Sequence, residues 1–115
     1  TPLYSSAASD VYKRQPQGAS VEQAFACLDE TMGDEEGAYH LGNGHAIRDA
    51  RAGVLQTADY GAPNVAGFRL RAEVSRSKPA TLDLSLRGAG AYCADLGVDR
   101  EMARLIDGAG RCLRR

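Results

Sequence analysis

The sequence has no long run of apolar residues and no excess of basic residues. A membrane-spanning helix needs about 20 consecutive apolar residues, and a signal peptide also needs an apolar core. The 115 residues include 14 basic and 15 acidic ones, which gives a formal net charge of −1. Nucleic-acid-binding domains usually carry a basic patch or stripe. We therefore expect neither a membrane nor a nucleic-acid partner.

Cysteine is scarce, with Cys27, Cys93 and Cys112 as the whole set. An odd number without zinc-type spacing argues against a disulfide framework and against a structural zinc site. The pattern favours buried thiols in a reducing compartment, and therefore a cytoplasmic protein. Pairing of Cys93 with Cys112 in an exported protein is the alternative that the sequence leaves open.

The N-terminal stretch SSAASDVYKRQ, residues 5–15, has no apolar periodicity and offers no face to a hydrophobic core. It resembles, over its whole length, an in-frame translation of the transposon-derived adapter used to prepare DNA sequencing libraries. Residues 1–4 fit the end of the flow-cell sequence followed by a sample index. The resemblance implies that residues 1–15 are not native, that the source is metagenomic, and that the native chain continues upstream in a different sequence. We expect residues 1–15 to be disordered or loosely attached.

The remaining residues 16–115 suffice for one small domain, or for the C-terminal fragment of a longer protein. Setting aside Asp10, Lys13 and Arg14 leaves 12 basic and 14 acidic residues, with Lys78 as the one remaining lysine. The preference for Arg, Ala and Gly suggests a GC-rich bacterial genome. The sequence contains no internal repeat and no heptad array.

Two segments have the spacing of amphipathic helices. The first is predicted over residues 21–32, with a capping box formed by Ser20 and Gln23. The second is predicted over residues 100–113, with Asp99 as its N-cap. The apolar faces consist of Val21, Phe25, Leu28 and Met32 in the first helix and Met102, Leu105, Ile106, Ala109 and Leu113 in the second. The C-terminal arginines Arg111, Arg114 and Arg115 are interpreted as charges that favour the negative end of the helix dipole.

Period-two alternation in AGFRLRAEVS and ATLDLSLRG predicts a β-hairpin over residues 66–75 and 79–88. Leucines on one face of each strand fix which side of the hairpin is buried. A three-residue connection would set the cross-strand pairs Ser75–Pro79, Arg71–Asp83, Leu70–Leu84 and Phe68–Leu86. The predicted fold class is therefore α+β: a small antiparallel sheet with both helices packed on one face.

The segment between the first helix and the hairpin is ambiguous. Four glycines among residues 33–46 favour turns, with a positive φ at Asn43 or Gly44. We predict a short helix from Ile47 to about Arg51, followed by a possible third strand over residues 54–60.

The residues that suggest a binding site lie in loop 37–49. Imidazole and carboxylate groups bind transition metals, and a glycine-rich turn can direct backbone N–H groups to an anion. The spacing of the two histidines matches no metal motif, and the dinucleotide and P-loop signatures are absent, so no metal site is predicted. The candidate ligand-binding residues are His40, Asn43, His45, Arg48 and Asp49.

No combination of acid, base and nucleophile is recognisable, so neither catalytic residues nor a cofactor are predicted. The favoured hypothesis is a non-catalytic bacterial α+β module, the C-terminal part of a longer protein. Such a module would bind a ligand, a protein partner or a missing N-terminal domain. The alternative is a fragment of an enzyme that contributes loop 37–49 to an active site shared with missing upstream sequence. This alternative predicts that His40, His45 and Asp49 converge in one pocket.

Overall fold

An antiparallel sheet with helices packed against one face forms the described part of the chain, residues 9–61, 66–76, 79–89 and 97–115 of the computed structural model. Its strands are β1 (Ser9–Pro16), β2 (His45–Asp49), β3 (Val54–Thr57), β4 (Gly67–Ser75) and β5 (Thr81–Ala89). They lie in the order β1-β5-β4-β3-β2, and each neighbouring pair is antiparallel. The helices are α1 (Val21–Gly33), the short α2 (Glu36–Tyr39) and α3 (Gly97–Leu113), and a 3-10 turn spans Leu41–Asn43. The predicted α+β class is confirmed.

Helix α1 forms as the sequence predicts. The Ser20 hydroxyl accepts a hydrogen bond from the Gln23 backbone N–H at 3.1 Å, and the Gln23 side chain accepts one from the Ser20 N–H at 3.2 Å. This capping box satisfies two of the backbone donors that a helix start leaves free. Phe25, Leu28 and Met32 are buried on the face that meets the core.

Helix α3 begins at Gly97, earlier than the predicted start at residue 100. Asp99 therefore lies in the first turn and is not the N-cap, although a carboxylate there still favours the helix dipole. The earlier start brings Val98 into the buried face, one turn before Met102. Cys93 lies outside the described residues. Among the helices of the described ranges, none combines the length and apolarity needed to cross a membrane.

The predicted hairpin is confirmed as β4 and β5, but its register is wrong by two residues. Ser75 pairs with Thr81 instead of Pro79 because the connection spans residues 76–80 instead of three residues. Leu70 consequently faces Leu86, and Phe68 faces Gly88. A shift of two preserves which side each residue faces, so the leucines of β5 are buried as expected.

The corrected register also changes the partner of Asp83. Arg71 faces Ser85, so the predicted Arg71–Asp83 pair is wrong. The Asp83 carboxylate instead accepts hydrogen bonds from Arg14 Nε at 2.8 Å and Arg14 Nη2 at 3.2 Å. These hydrogen bonds hold the pKa of Asp83 below its ordinary value. Arg71 donates to the Gln56 side chain on β3 at 2.8 Å.

The predicted helix over residues 47–51 is wrong, because these residues belong to β2 and the turn after it. Strand β2 pairs with β3, which lies within the predicted strand 54–60. The connecting turn needs the φ of +76° at Gly53, where a Cβ atom would lie 3.1 Å from the Val74 carbonyl oxygen. The positive φ expected at Asn43 or Gly44 is found at Gly44, with a value of +77°.

Strand β1 places residues 9–16 at one edge of the sheet. Its ladder with β5 runs from the pair Ser9–Gly88 to the pair Pro16–Thr81. Residues 9–15 of the segment that was expected to be disordered or loosely attached belong to this strand, and residues 1–8 of that segment lie outside the described residues. The physical reason is that the edge of a strand offers unpaired N–H and C=O groups to any extended segment nearby.

A disulfide joins Cys27 of α1 to Cys112 of α3, with 5.6 Å between their Cα atoms. The expectation of reduced thiols is therefore wrong for these two residues, and Cys112 is not the partner of Cys93. The pairing arises because α1 and α3 pack side by side. Two residues 85 positions apart in the sequence meet only through this packing.

Candidate functional site

Among the predicted ligand-binding residues of loop 37–49, His40 and Asp49 have separate partners. His40 Nδ1 lies 2.7 Å from Asp59 Oδ2. Asp49 accepts a hydrogen bond from the Ala52 N–H at 3.0 Å, which closes the turn after β2. Asn43 is exposed in the 3-10 turn.

A β-bulge places the side chains of His45 and Arg48 on the same face of β2. His45 pairs with Thr57 and Ile47 pairs with Gln56, so Ala46 is the extra residue. Residues three positions apart would otherwise point to opposite faces of a strand. With the bulge, His45 Nε2 lies 3.0 Å from one oxygen of Asp29 on α1, and Arg48 Nη1 hydrogen-bonds the other. These contacts anchor β2 to α1.

Burial lowers the pKa of His45, so its imidazole favours the neutral form. A neutral ring that donates from Nε2 to the Asp29 carboxylate retains an unprotonated Nδ1, and this atom is buried without a hydrogen-bond partner. Arg48 supplies the positive charge that balances Asp29. Within the described ranges, no group of three or more His, Cys, Asp and Glu side chains is placed to hold a metal ion. The cluster is suited to joining α1 to β2.

A larger polar feature lies between α1 and α3, on the side of the disulfide. It is a cleft of about 340 Å³, here termed the α1–α3 cleft. Gly108 lets the helices approach, because a Cβ atom at this position would lie 2.6 Å from Thr31 Cγ2. The residues that line the cleft are Glu30, Thr31, Asp34, Arg104, Gly108, Arg111, Cys112 and Arg115.

Arg104 is the most firmly held cation of the α1–α3 cleft. Its Nε donates to Glu101 Oε1 at 2.8 Å and its Nη2 donates to Glu101 Oε2 at 2.7 Å. The Tyr39 hydroxyl also donates to Glu101 Oε2, at 2.6 Å, and the Glu101 side chain is almost fully buried. The hydrogen bonds with Glu101 raise the pKa of Arg104, and burial raises the pKa of Tyr39. The guanidinium group is thus charged and fixed in orientation, with Nη1 at 3.8 Å from Asp34 Oδ2.

The other two guanidinium groups of the cleft are held less firmly. Arg115 Nη2 lies 2.7 Å from both oxygens of Glu30, and Arg111 Nη2 lies 2.9 Å from Asp107 Oδ2. All four side chains are more than half exposed. Ion pairs of this kind contribute only about 0–1 kcal/mol, so an anionic ligand competes with them at little cost.

The arrangement is suited to holding an anion. A guanidinium group binds carboxylate or phosphate through two parallel hydrogen bonds, and it does not lose its proton at physiological pH. None of the cleft residues is among the predicted ligand-binding residues, and the sequence pattern indicates only that Arg111 and Arg115 favour the negative end of the helix dipole. A signal was available, since Arg104, Gly108 and Arg111 are spaced i, i+4 and i+7 along one face of α3, and Arg115 follows two residues after the helix ends.

No known protein family, curated protein or solved structure matches this chain.

Proposed function

We propose that this chain is a non-catalytic binding module and that the α1–α3 cleft is its ligand site. The ligand carries a carboxylate or phosphate group, which Arg104 binds at the centre of the cleft and Arg111 and Arg115 bind from the rim. The observation that supports this proposal is the fixed orientation of the Arg104 guanidinium group between Glu101 and the cleft.

The proposal follows from how the three arginines differ. Arg104 loses little conformational freedom on binding because Glu101 and Tyr39 already hold it in place. Arg111 and Arg115 exchange exposed carboxylate partners for the ligand. Gly108 and Thr31 keep the two helices close and thereby set the width of the cleft.

Titration of the full chain with inorganic phosphate and with succinate tests the proposal. We expect the Nε–H signal of Arg104 in NMR spectra to shift saturably with either anion. Arg104→Lys keeps the charge but removes the planar fork, and we expect it to weaken binding about tenfold, which corresponds to about 1.4 kcal/mol. Arg114→Lys is the matched control, because Arg114 does not line the cleft. Equal weakening by both substitutions, or shifts that do not saturate, would contradict the proposal.

The enzyme-fragment alternative has less support. It requires His40, His45 and Asp49 to act together, whereas they contact Asp59, Asp29 and the turn after β2, respectively. None of the three lines the α1–α3 cleft. The cytoplasmic location stays a prediction, and the disulfide counts against it because disulfides persist mainly in oxidising compartments.

We further propose that residues 1–15 are not native and derive from a sequencing adapter. The support is the match of SSAASDVYKRQ to the translated adapter. Amplifying the source locus and sequencing upstream of the Pro16 codon tests this. A reading frame that continues in different sequence supports the proposal, and a genome that encodes SSAASDVYKRQ refutes it.

A further inference from the structure

We infer that the outer edge of β5 is a docking site for an extended segment of a partner protein, with apolar side chains directed inward and a basic residue opposite Asp83. In this structure β1 occupies that edge. The inference is independent of the α1–α3 cleft and of its ligand.

The first argument is that β1 is poorly matched to the core beneath it. Its inward positions face the buried leucines of β5, and they hold Val11, Lys13 and Gln15. Val11 is partly buried and packs against the core, Gln15 is partly buried but polar, and Lys13 is exposed. The inward positions of β4 are in contrast filled by buried apolar residues: Phe68, Leu70, Ala72 and Val74. Strand β1 is thus held mainly by its backbone ladder.

The second argument is an unfilled groove beneath β1. A cavity of about 640 Å³ lies between β1 and α3, lined by Lys13, Asp99, Met102, Ala103, Ile106 and Asp107; it is termed the β1 groove here. Lys13 occupies the inward position opposite Leu84, and its side chain is exposed. An isoleucine or leucine in its place would instead cover Met102 and Ile106. Burying such a side chain would remove apolar surface from water and so stabilise the added strand.

The third argument is the charge pattern on the outer face of the edge. Asp83 of β5 binds Arg14, and Arg87 of β5 lies 3.2 Å from the Asp10 carboxylate. The edge therefore favours a segment with a basic residue opposite Asp83 and an acidic residue opposite Arg87. Addition of an extended peptide to a sheet edge is an established mode of recognition, in which alternate side chains supply the specificity.

The same arguments identify the occupant as a different protein instead of a second copy of this chain. A second copy of the chain described here, with the residues 1–15 that are proposed above to derive from an adapter, would present residues 9–16, again with Lys13 and Gln15 at the inward positions. Such a strand would leave the β1 groove as empty as β1 itself leaves it.

Peptide binding tests the inference. The probe is a fluorescent peptide of residues 9–16 that carries Lys13→Ile and Gln15→Val, and the control peptide has the same composition with its apolar residues moved to the outward positions. Both are titrated against the full chain and against a variant with Tyr12→Pro and Lys13→Pro. The two prolines remove the one of these successive amide donors that faces β5 and restrict the backbone of β1, which releases the edge. We expect the probe to bind the released variant at least tenfold more tightly than the control does, and to protect β5 amides from hydrogen exchange.

A charge exchange tests the position of the basic residue. Asp83→Lys in the released variant should weaken binding of the probe, and a probe with Arg14→Glu should restore it. Equal binding of probe and control peptide would overturn the inference. Concentration-dependent dimerisation of the released variant through β5 would overturn it as well, in favour of a second copy.

If the proline variant does not fold, the inference can be tested in the full chain without proline substitutions. The full chain with Lys13→Ile and Gln15→Val should then have a higher urea midpoint than the parent chain, because the new side chains fill the β1 groove. The same substitutions without a rise in the midpoint would show that the edge does not select apolar inward residues, and the inference would fail.

Discussion

The two edges of the sheet are held in different ways. Strand β1 follows a regular ladder of eight residue pairs with β5, and its side chains are mostly exposed. Strand β2 has a bulge at Ala46, and Asp29 on α1 holds its side chains His45 and Arg48 from the inner face. An edge held by backbone pairing accepts any extended segment of suitable pattern, whereas an edge held by specific side chains does not.

The bulge has a further effect on the β2 edge. A bulge interrupts the even row of N–H and C=O groups that a new strand would need, and charged residues on an edge strand discourage pairing as well. Ile47 is the one large apolar side chain among the described residues of β2 with substantial exposure. The comparison indicates that strand addition is favoured at the edge of β5 and opposed at the edge of β2.

The largest loss of stability is expected in the core that packs beneath both edges of the sheet. Leu84 is fully buried at the centre of β5. Leu84→Ala should lower the free energy of unfolding by about 2–5 kcal/mol through lost burial and a remaining cavity. Leu84→Met should cost less than about 1.5 kcal/mol. Urea unfolding measures both values, and hydrogen exchange should show both edges weakened. Weakening confined to β1 would mean that β2 does not depend on this core.

A smaller loss of stability is expected when the contact of Asp29 with His45 and Arg48 is weakened. Asp29→Asn removes the charge that His45 and Arg48 share, and we expect a loss of about 1 kcal/mol. A fully buried polar group left without its partner costs about 1–3 kcal/mol. We expect the lower end of this range because the Asp29 side chain is 29% exposed and water can partly replace the lost interaction. Glu30→Gln is the matched control on the next residue of α1, where an exposed ion pair with Arg115 should contribute less. Equal losses in urea unfolding would remove the distinction between an anchored and an exposed carboxylate.

The pH dependence of stability tests the contribution of His45 to the same contact between β2 and α1. Burial lowers the pKa of His45 from its ordinary value of 6.5, so the unfolded chain binds a proton more readily than the folded one. The stabilising contribution of the neutral ring is present above pH 6.5 and is lost as the pH falls through that value toward the folded pKa. Urea midpoints measured between pH 8 and pH 5 should decrease, and His45→Gln should flatten the decrease. His40→Gln is the matched control, and an equal flattening by both substitutions would contradict the assignment of the slope to His45.

The smallest effect is expected at the β1 edge. Asp83→Asn removes one ion pair, with an Arg14 side chain that is 61% exposed, whereas Asp29 has two partners, so at pH 7 it should cost less than Asp29→Asn. In the parent chain the pKa of Asp83 is lowered by Arg14, so the contribution of the pair is present above the ordinary value of 3.8 and is lost as the pH falls below it. Hydrogen exchange of β1 amides measures the local loss. A larger loss for Asp83→Asn than for Asp29→Asn would reverse the comparison of the two edges.

The elements with strong local patterns could be predicted from the sequence. The capping box at Ser20 and the alternation in β4 and β5 each depend on neighbouring residues, and both were found. The hairpin register was not, because loop length decides it and every shift by two preserves the same buried face. Strand β2 was missed because a bulge breaks the alternation that identifies strands.

The sites depended more heavily on tertiary packing. The Asp29–His45–Arg48 cluster joins a helix to a bulged strand, and no spacing in the sequence brings these residues together. The residues of the α1–α3 cleft come from helices far apart in the chain, although the arginines on one face of α3 were visible. The disulfide was missed for the same reason, because it follows from how α1 packs on α3.

The disulfide also closes residues 27–112 into a covalent ring and leaves the N-terminal segment outside it. Cys27 and Cys112 enclose β2, β3, β4 and β5 in one covalent ring, while β1 lies before the ring begins. A protease that cuts inside the ring, for example in the turn at residues 50–53, leaves both pieces joined through sulfur. A cut between β1 and α1, at residues 17–19, instead releases β1 as a separate peptide. Strand β2 thus belongs to a covalent ring whose pieces stay joined after a single cut. The edge of β5 is instead covered by β1, which a single cut can remove.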